Sequence, residues 1–345
     1  MLTMAKAFRA IAAGLLTLGL ALTIVALTPA TQAVAQELRR DPAKITGPDA
    51  CGECHKASVA AWKQTHHFST FKDLPRKKEA RDIAKAMGLK RIKAGGDCLT
   101  CHFTSKQDDA GDVDPIAGIA CESCHGAGKD WINVHSDYGG KGVTAETEDP
   151  AHRKERYAKS EAAGMIRPGD LYAVAQNCYS CHTVPNEELV NKGGHAAGSN
   201  FELVAWSQGE VRHNVWYSKD NNEAALERRR MMFLVGKALD LEFALRGVAK
   251  ATQKATYAVA MAKRAARARA VMEEISGLIK APEIDEIVAA GKSAGLKLNN
   301  EAELSAAADK VQAAAKKLAA NYDGSTFGAI DRALPSEGKY MGKAP

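Results

Sequence analysis

At 345 residues, with 46% apolar and 26% charged residues, the chain can bury a core without staples, which excludes a disordered polymer. The net charge of +6 is modest, and nucleic acid is not expected as a partner. Aromatic residues are only 6%, so part of the interior of a compact N-terminal half must be filled by something other than Phe and Tyr.

Residues 1–35 read as an export signal. Lys6 and Arg9 form a basic start, Ile11 to Leu27 an uncharged apolar run, and Ala33, Val34 and Ala35 a cleavage site before Gln36. The run approaches bilayer length, so an uncleaved anchor is the alternative. Cleavage after Ala35 removes two cations, leaves +4, and delivers the mature chain to the periplasm.

From residue 51 onward, one string recurs four times: "CGECH" (Cys51, Cys54, His55), "CLTCH" (Cys98, Cys101, His102), "CESCH" (Cys121, Cys124, His125) and "CYSCH" (Cys178, Cys181, His182). These account for all eight cysteines. Disulfides or zinc could also occupy paired cysteines, but neither requires a histidine after every second one. With 10 His in 345 residues, four such coincidences have odds on the order of one in a million. The string is the attachment site of c-type haem. Two thiols one helical turn apart bind one edge of the porphyrin, and the next residue lies under the ring as an iron ligand. The expected cofactors are four covalent haem c, and export agrees with their attachment outside the cytoplasmic membrane. First cysteines are 47, 23 and 57 residues apart, so the motifs are not a regular repeat.

Six histidines remain: His66 and His67 in "AWKQTHHFST", then His135, His152, His195 and His213. Between Gln36 and Asn222 the methionines are Met87 and Met165. Bis-histidine ligation should therefore dominate, with low reduction potentials. His152 sits among charges in "DPAHRKERY" and reads as a surface or hydrogen-bonded side chain; His66 reads as surface, or as a ligand or proton-handling group. Trp62 packs either at a ring edge or in an ordinary core.

The stretches "CGECHKASVAAWKQTHH", "DCLTCH", "GIACESCHGAGKDWINVH" and "CYSCH", in this order, resemble the tetrahaem cytochromes c of the c-554 type, electron acceptors in ammonia oxidation. The resemblance spans roughly residues 48–220. It implies His67 as distal ligand of the fourth haem and His135 of the first. It places the third haem's distal ligand after the last motif, where order along the chain favours His213 over His195. The second haem then has an open face, unless His66 or His195 closes it; neither belongs to the family pattern.

From about Asn221 the texture changes to Ala, Leu, Lys and Arg. Met231, Leu234, Ala238, Leu241, Leu245, Val248, Thr252, Ala255, Val259, Ala262 and Ala266 form a helical stripe, so Glu223 to Ile279 reads as one helix of about 80 Å, bent at Gly236 or Gly247 and stopped by Pro282. Shorter stripes at Ile284, Ile287 and Val288, and from Leu304 to Leu318, complete a helical hairpin or bundle. Between 228 and 269 eleven cations face only Asp240 and Glu242. Such a stripe is either a solvated face or a dock for an acidic partner.

The expected fold is mainly α. A signal peptide (1–35) precedes a tetrahaem cytochrome c domain (36–222) of short helices and loops packed on four haems, followed by a helical C-terminal extension (223–345). That extension either shields haem edges or serves self-association. The expected function is periplasmic electron transport between periplasmic or membrane-bound redox proteins. The alternative is a haem enzyme reducing a small nitrogen-oxide ligand at an open second haem. Mass spectrometry of the exported protein checks the motifs: the polypeptide should carry four tetrapyrrole masses, and Cys98→Ser with Cys101→Ser should remove one.

Overall fold

The computed structural model describes residues 40–216 and 220–345. The export signal and its cleavage site lie outside the described residues.

The haem-motif half is built from short helices: α1 (Pro48–Gly52), α2 (Lys56–Trp62), α3 (His66–Asp73), α4 (Lys78–Ala86), α5 (Gly96–His102), α6 (Cys121–His125), α7 (Ile132–His135), α8 (Pro150–Ala162), α9 (Leu171–His182), α10 (Glu187–Asn191) and α11 (Leu203–Ser207). Local signals explain several starts. Pro48 and Pro150 occupy first-turn positions, where the missing amide costs nothing. Thr65, Asp149, Asp170 and Asn186 cap α3, α8, α9 and α10 through their side chains. Between α5 and α6 lies an antiparallel hairpin, β1 (Thr104–Gln107) with β2 (Val113–Ala117), which the sequence reading missed. Its loop is closed by Asp108, whose carboxylate accepts from the Ala110 and Asp112 amides.

The C-terminal half is a four-helix arrangement of α12 (Leu226–Lys250), α13 (Thr256–Leu278), α14 (Pro282–Lys292) and α15 (Glu301–Asn321). The expected single helix from Glu223 to Ile279 is corrected: it breaks between residues 250 and 256. The reason lies outside the stripe. The Glu187 carboxylate accepts from the Thr252 amide and hydroxyl at 2.9 and 2.8 Å, and Asn191 Oδ1 accepts from the Tyr257 amide at 3.0 Å. A helix start is thus capped by α10 rather than by the local sequence. The stripe changes phase across this break. Met231 to Val248 are buried as expected, but Val259 is 41% exposed, and Tyr257, Met261, Ala265, Ala268 and Met272 face inward instead.

Several arginines of the basic stripe are paired within the chain. Arg229, Arg230, Arg246 and Arg264 pair with Glu223, Asp331, Asp309 with Glu242, and Asp240 respectively. Arg228 and Arg269 donate to the carbonyls of Pro168 and Ala294. Most of its arginines are therefore tied down rather than offered to a partner.

One hydrophobic core crosses between the halves. Leu171, Tyr172, Ala175 and Tyr179 of α9, with Leu203 and Val204 of α11, join Leu234, Leu241 and Leu245 of α12 and Leu304 and Leu318 of α15. Inside it, the fully buried Glu242 accepts from Tyr172 Oη (2.6 Å), Gln312 Nε2 (3.2 Å) and Arg246 Nε (3.0 Å). The burial cost of that carboxylate is met by three donors from three helices. Among the described residues, no helix is long and apolar enough to cross a membrane.

Because α9 carries the fourth motif and shares this core, the two halves should unfold together. Leu241→Ala should cost about 2–5 kcal/mol in a denaturant titration, with helix content and Soret absorbance shifting as one transition.

Candidate axial-ligand pairs

All four motif histidines end or follow a short helix, and each meets a second imidazole from a distant part of the chain. Ring centroids are 6.2 Å apart for His55–His135, 6.2 Å for His102–His195, 6.3 Å for His125–His213 and 6.3 Å for His67–His182. Interplanar angles are 21°, 44°, 81° and 51° in the same order. The common spacing has a chemical meaning. Two metal–nitrogen bonds of about 2 Å each, plus about 1 Å from each nitrogen to its ring centre, give a separation of roughly 6 Å. Packed rings elsewhere in the chain range more widely, from 4.5 Å for His182–Phe201 to 6.2 Å for Phe71–Phe103.

The ring nitrogens agree with this arrangement. Nδ1 of His125, His135, His195 and His213 lies 3.0, 2.6, 2.8 and 2.8 Å from the carbonyls of Ile166, Ile132, Ala196 and Val211. A carbonyl only accepts, so Nδ1 carries the proton and Nε2 keeps its lone pair for a metal. Burial holds His55, His67, His125 and His135 below the ordinary imidazole value, and pushes His102 and His182 down to about 4. These rings are neutral at pH 7, as ligation requires.

None of the eight cysteines is joined to another in a disulfide. Among the described residues, no three His, Cys, Asp or Glu side chains converge on one ion, as a zinc site would need. The donor set instead offers two axial nitrogens per site beside two thiols able to form thioethers, which fits haem c at each motif. Cys51 lies close enough to Cys121, and Cys101 to Cys181, for each thiol to shift its neighbour's titration. The first and third motifs therefore adjoin, and so do the second and fourth.

Residues that the sequence reading passed over hold this arrangement. Glu122, inside "CESCH", is buried and accepts from the amides of Thr46, Gly47 and Gly128 at 2.8, 2.8 and 2.7 Å and from the Thr46 hydroxyl at 3.0 Å. It locks the third motif to the segment leading into α1. A side chain at Gly128 would enter this cradle, its Cβ 2.8 Å from Glu122 Oε1. Arg40 bridges the second and fourth motifs: its Nη2 donates to Ser180 Oγ at 2.9 Å and its Nη1 to the Thr100 carbonyl at 3.4 Å. Gly118 lies so close to His67 that a Cβ there would stand 2.0 Å from the His67 carbonyl oxygen, which accepts from the Ile119 amide.

The C-terminal half takes part as well. Arg264 Nη1 donates to the Ser199 carbonyl at 3.1 Å, and the Ser199 amide donates to the His182 carbonyl at 2.9 Å. Arg264 thereby braces the loop that carries His195.

The remaining candidates stand apart from the motifs. His66 is 84% exposed and donates through Nδ1 to Glu210 at 2.5 Å. His152 bonds Glu148 at 2.8 Å, and the Arg156 guanidinium beside Glu148 holds that carboxyl down at about 2. Trp62 donates to the Ile119 carbonyl at 2.8 Å and meets Phe68 edge-on, an ordinary packing role.

Comparison with known proteins adds an independent line. Residues 50–126 match the family described as "Cytochrome c554 and c-prime". Over 166 residues the chain is 29% identical to a cytochrome c-554 of Nitrosomonas europaea, covering 46% of this chain and just under two thirds (66%) of the relative. No solved structure matches.

Two substitutions separate ligand from bystander. His195→Ala should convert one site to high spin and create a carbon monoxide adduct in the reduced spectrum. His66→Ala should leave the spectrum unchanged.

Proposed function

We propose that the chain is a multihaem c-type cytochrome of the c-554 family, whose description residues 50–126 match, and that it carries electrons through four haems c, each held between two histidines. The observation that carries this reading is the set of four facing imidazole pairs with one common spacing. Haem c bound at such a site supplies a one-electron iron couple, and two imidazole ligands in place of imidazole and thioether keep its potential low.

The chain's residues supply the rest. The paired cysteines anchor, and His55, His102, His125 and His182 ligate from the motif side. His135, His195, His213 and His67 fill the opposite positions in that order. An enzyme reducing a nitrogen-oxide ligand at the second motif needs a free sixth position, and His195 stands opposite His102 there. The adjoining of motifs one with three, and two with four, supports rapid internal electron exchange.

The setting is the periplasm, with periplasmic or membrane-bound redox proteins on either side, and a donor that oxidises reduced nitrogen compounds, as the resemblance implies. A coulometric titration under carbon monoxide tests the proposal. The protein should take up and return four electrons with no carbon monoxide adduct. Fewer electrons, or an adduct at the second site, would replace the carrier reading by one with an open haem.

A further inference from the structure

The charge of the chain is concentrated in a stretch that the ligand pairs do not use. Residues 72–93 hold nine Lys or Arg against three Asp or Glu, a net +6 that equals the charge of the whole chain. Lys72, Lys77, Arg81, Lys85, Lys90 and Arg91 are exposed. Within the stretch, Lys78 pairs with Asp82 at 2.6 Å and Arg76 with Asp73 at 4.0 Å, which leaves those six cations without a carboxylate partner among the described residues. The C-terminal stripe behaves in the opposite way, with most of its arginines bonded inward.

The inner side of this stretch borders one imidazole pair. Ala80, Ala84 and Ile92 form a small core with Cys98 and Phe103 on either side of His102. Met87 places its sulfur 3.0 Å from the Cβ position of Gly193, two residues before His195. Lys93 sits over the Phe71 ring at 3.2 Å, closing the seam beneath the charged surface.

We infer that residues 72–93 are the docking face of an acidic one-electron redox protein, which exchanges electrons with this chain at the second motif. The inference rests on the carrier reading. The exchange moves one electron and no atoms: the partner is oxidised by one electron and the carrier reduced by one, or the reverse. A membrane surface is the less suitable occupant. Membrane-lying helices present an apolar face to lipid, whereas Leu74, Ile83, Met87, Leu89 and Ile92 are turned wholly or partly inward. A cationic face without such residues steers an anionic protein by its field and releases it readily, as transient electron exchange requires.

The test uses the full holo-protein and a plant-type iron–sulfur ferredoxin, an acidic one-electron donor. Stopped-flow reduction at low ionic strength is compared for wild type, for Lys85→Glu/Lys90→Glu/Arg91→Glu, and for a control with the same charge change on the C-terminal half, Lys254→Glu/Lys263→Glu/Arg267→Glu. The first variant should react at least about tenfold more slowly, lose most of its salt dependence and weaken calorimetric binding of oxidised ferredoxin in parallel; the control should change less than about twofold. Equal losses in the two variants, or no loss in the first, would overturn the inference. Binding to phosphatidylserine vesicles that the first variant alone abolishes, with ferredoxin rates unchanged, would assign the face to membrane instead. Dithionite should reduce all three proteins fully; a wild type that dithionite cannot reduce would refute the carrier reading itself.

Discussion

The structure depends on eight imidazoles meeting as four pairs. The partners are 80, 93, 88 and 115 residues apart for His55–His135, His102–His195, His125–His213 and His67–His182. Such closures are entropically costly for short helices and loops with little apolar core of their own. On the proposed reading, a metal bond on each side of an iron would offset that cost, and flat porphyrins would supply the apolar surface that a chain with 6% aromatics lacks. The crossing of the pairs matters as much as their number. His67 belongs by sequence to the neighbourhood of the first motif, yet faces His182 of the fourth, so each closure also fixes one motif relative to another.

The C-terminal helices are part of this device. Glu242, Tyr172 and Gln312 join α12, α9 and α15 through one buried polar cluster, and α9 carries the fourth motif. Arg264 braces the loop behind His195. The segment before His213 is pinned from the far end of the chain, since the Glu210 amide donates to the Met341 carbonyl and the Met341 amide to that of Ala205. The extension therefore supports the second, third and fourth pairs through the segments that carry them, and Arg264 serves this internal role.

Much of this was legible in the sequence. The four motifs are local strings, and the helical texture after residue 221 is periodic. His67 and His135 were expected opposite the fourth and first motifs through the family resemblance. What was not legible depends on partners remote in sequence. His195 sits in "KGGHAAGS", a loop without a local signal for which ring it meets; the bond of its amide to the Leu189 carbonyl, the brace from Arg264 and the nearness of Met87 to Gly193 place it by His102. The break after Lys250 was hidden because its cap is Glu187. The basic stripe looked uncompensated because its carboxylates, Glu223, Asp309 and Asp331, lie outside the window in which charges were counted. The cationic charge at residues 72–93 was present in plain view, but its place beside the second motif was not.

The central claim is that every attachment motif has an imidazole on its far side, the second one included. Low-temperature electron paramagnetic resonance of the oxidised protein tests this most directly. The account predicts low-spin signals alone. The near-perpendicular rings of the His125–His213 pair should give the most anisotropic signal, and the near-parallel rings of His55–His135 the most rhombic. A high-spin ferric signal amounting to one iron per chain would contradict it, because one of the four facing rings would then not be a ligand.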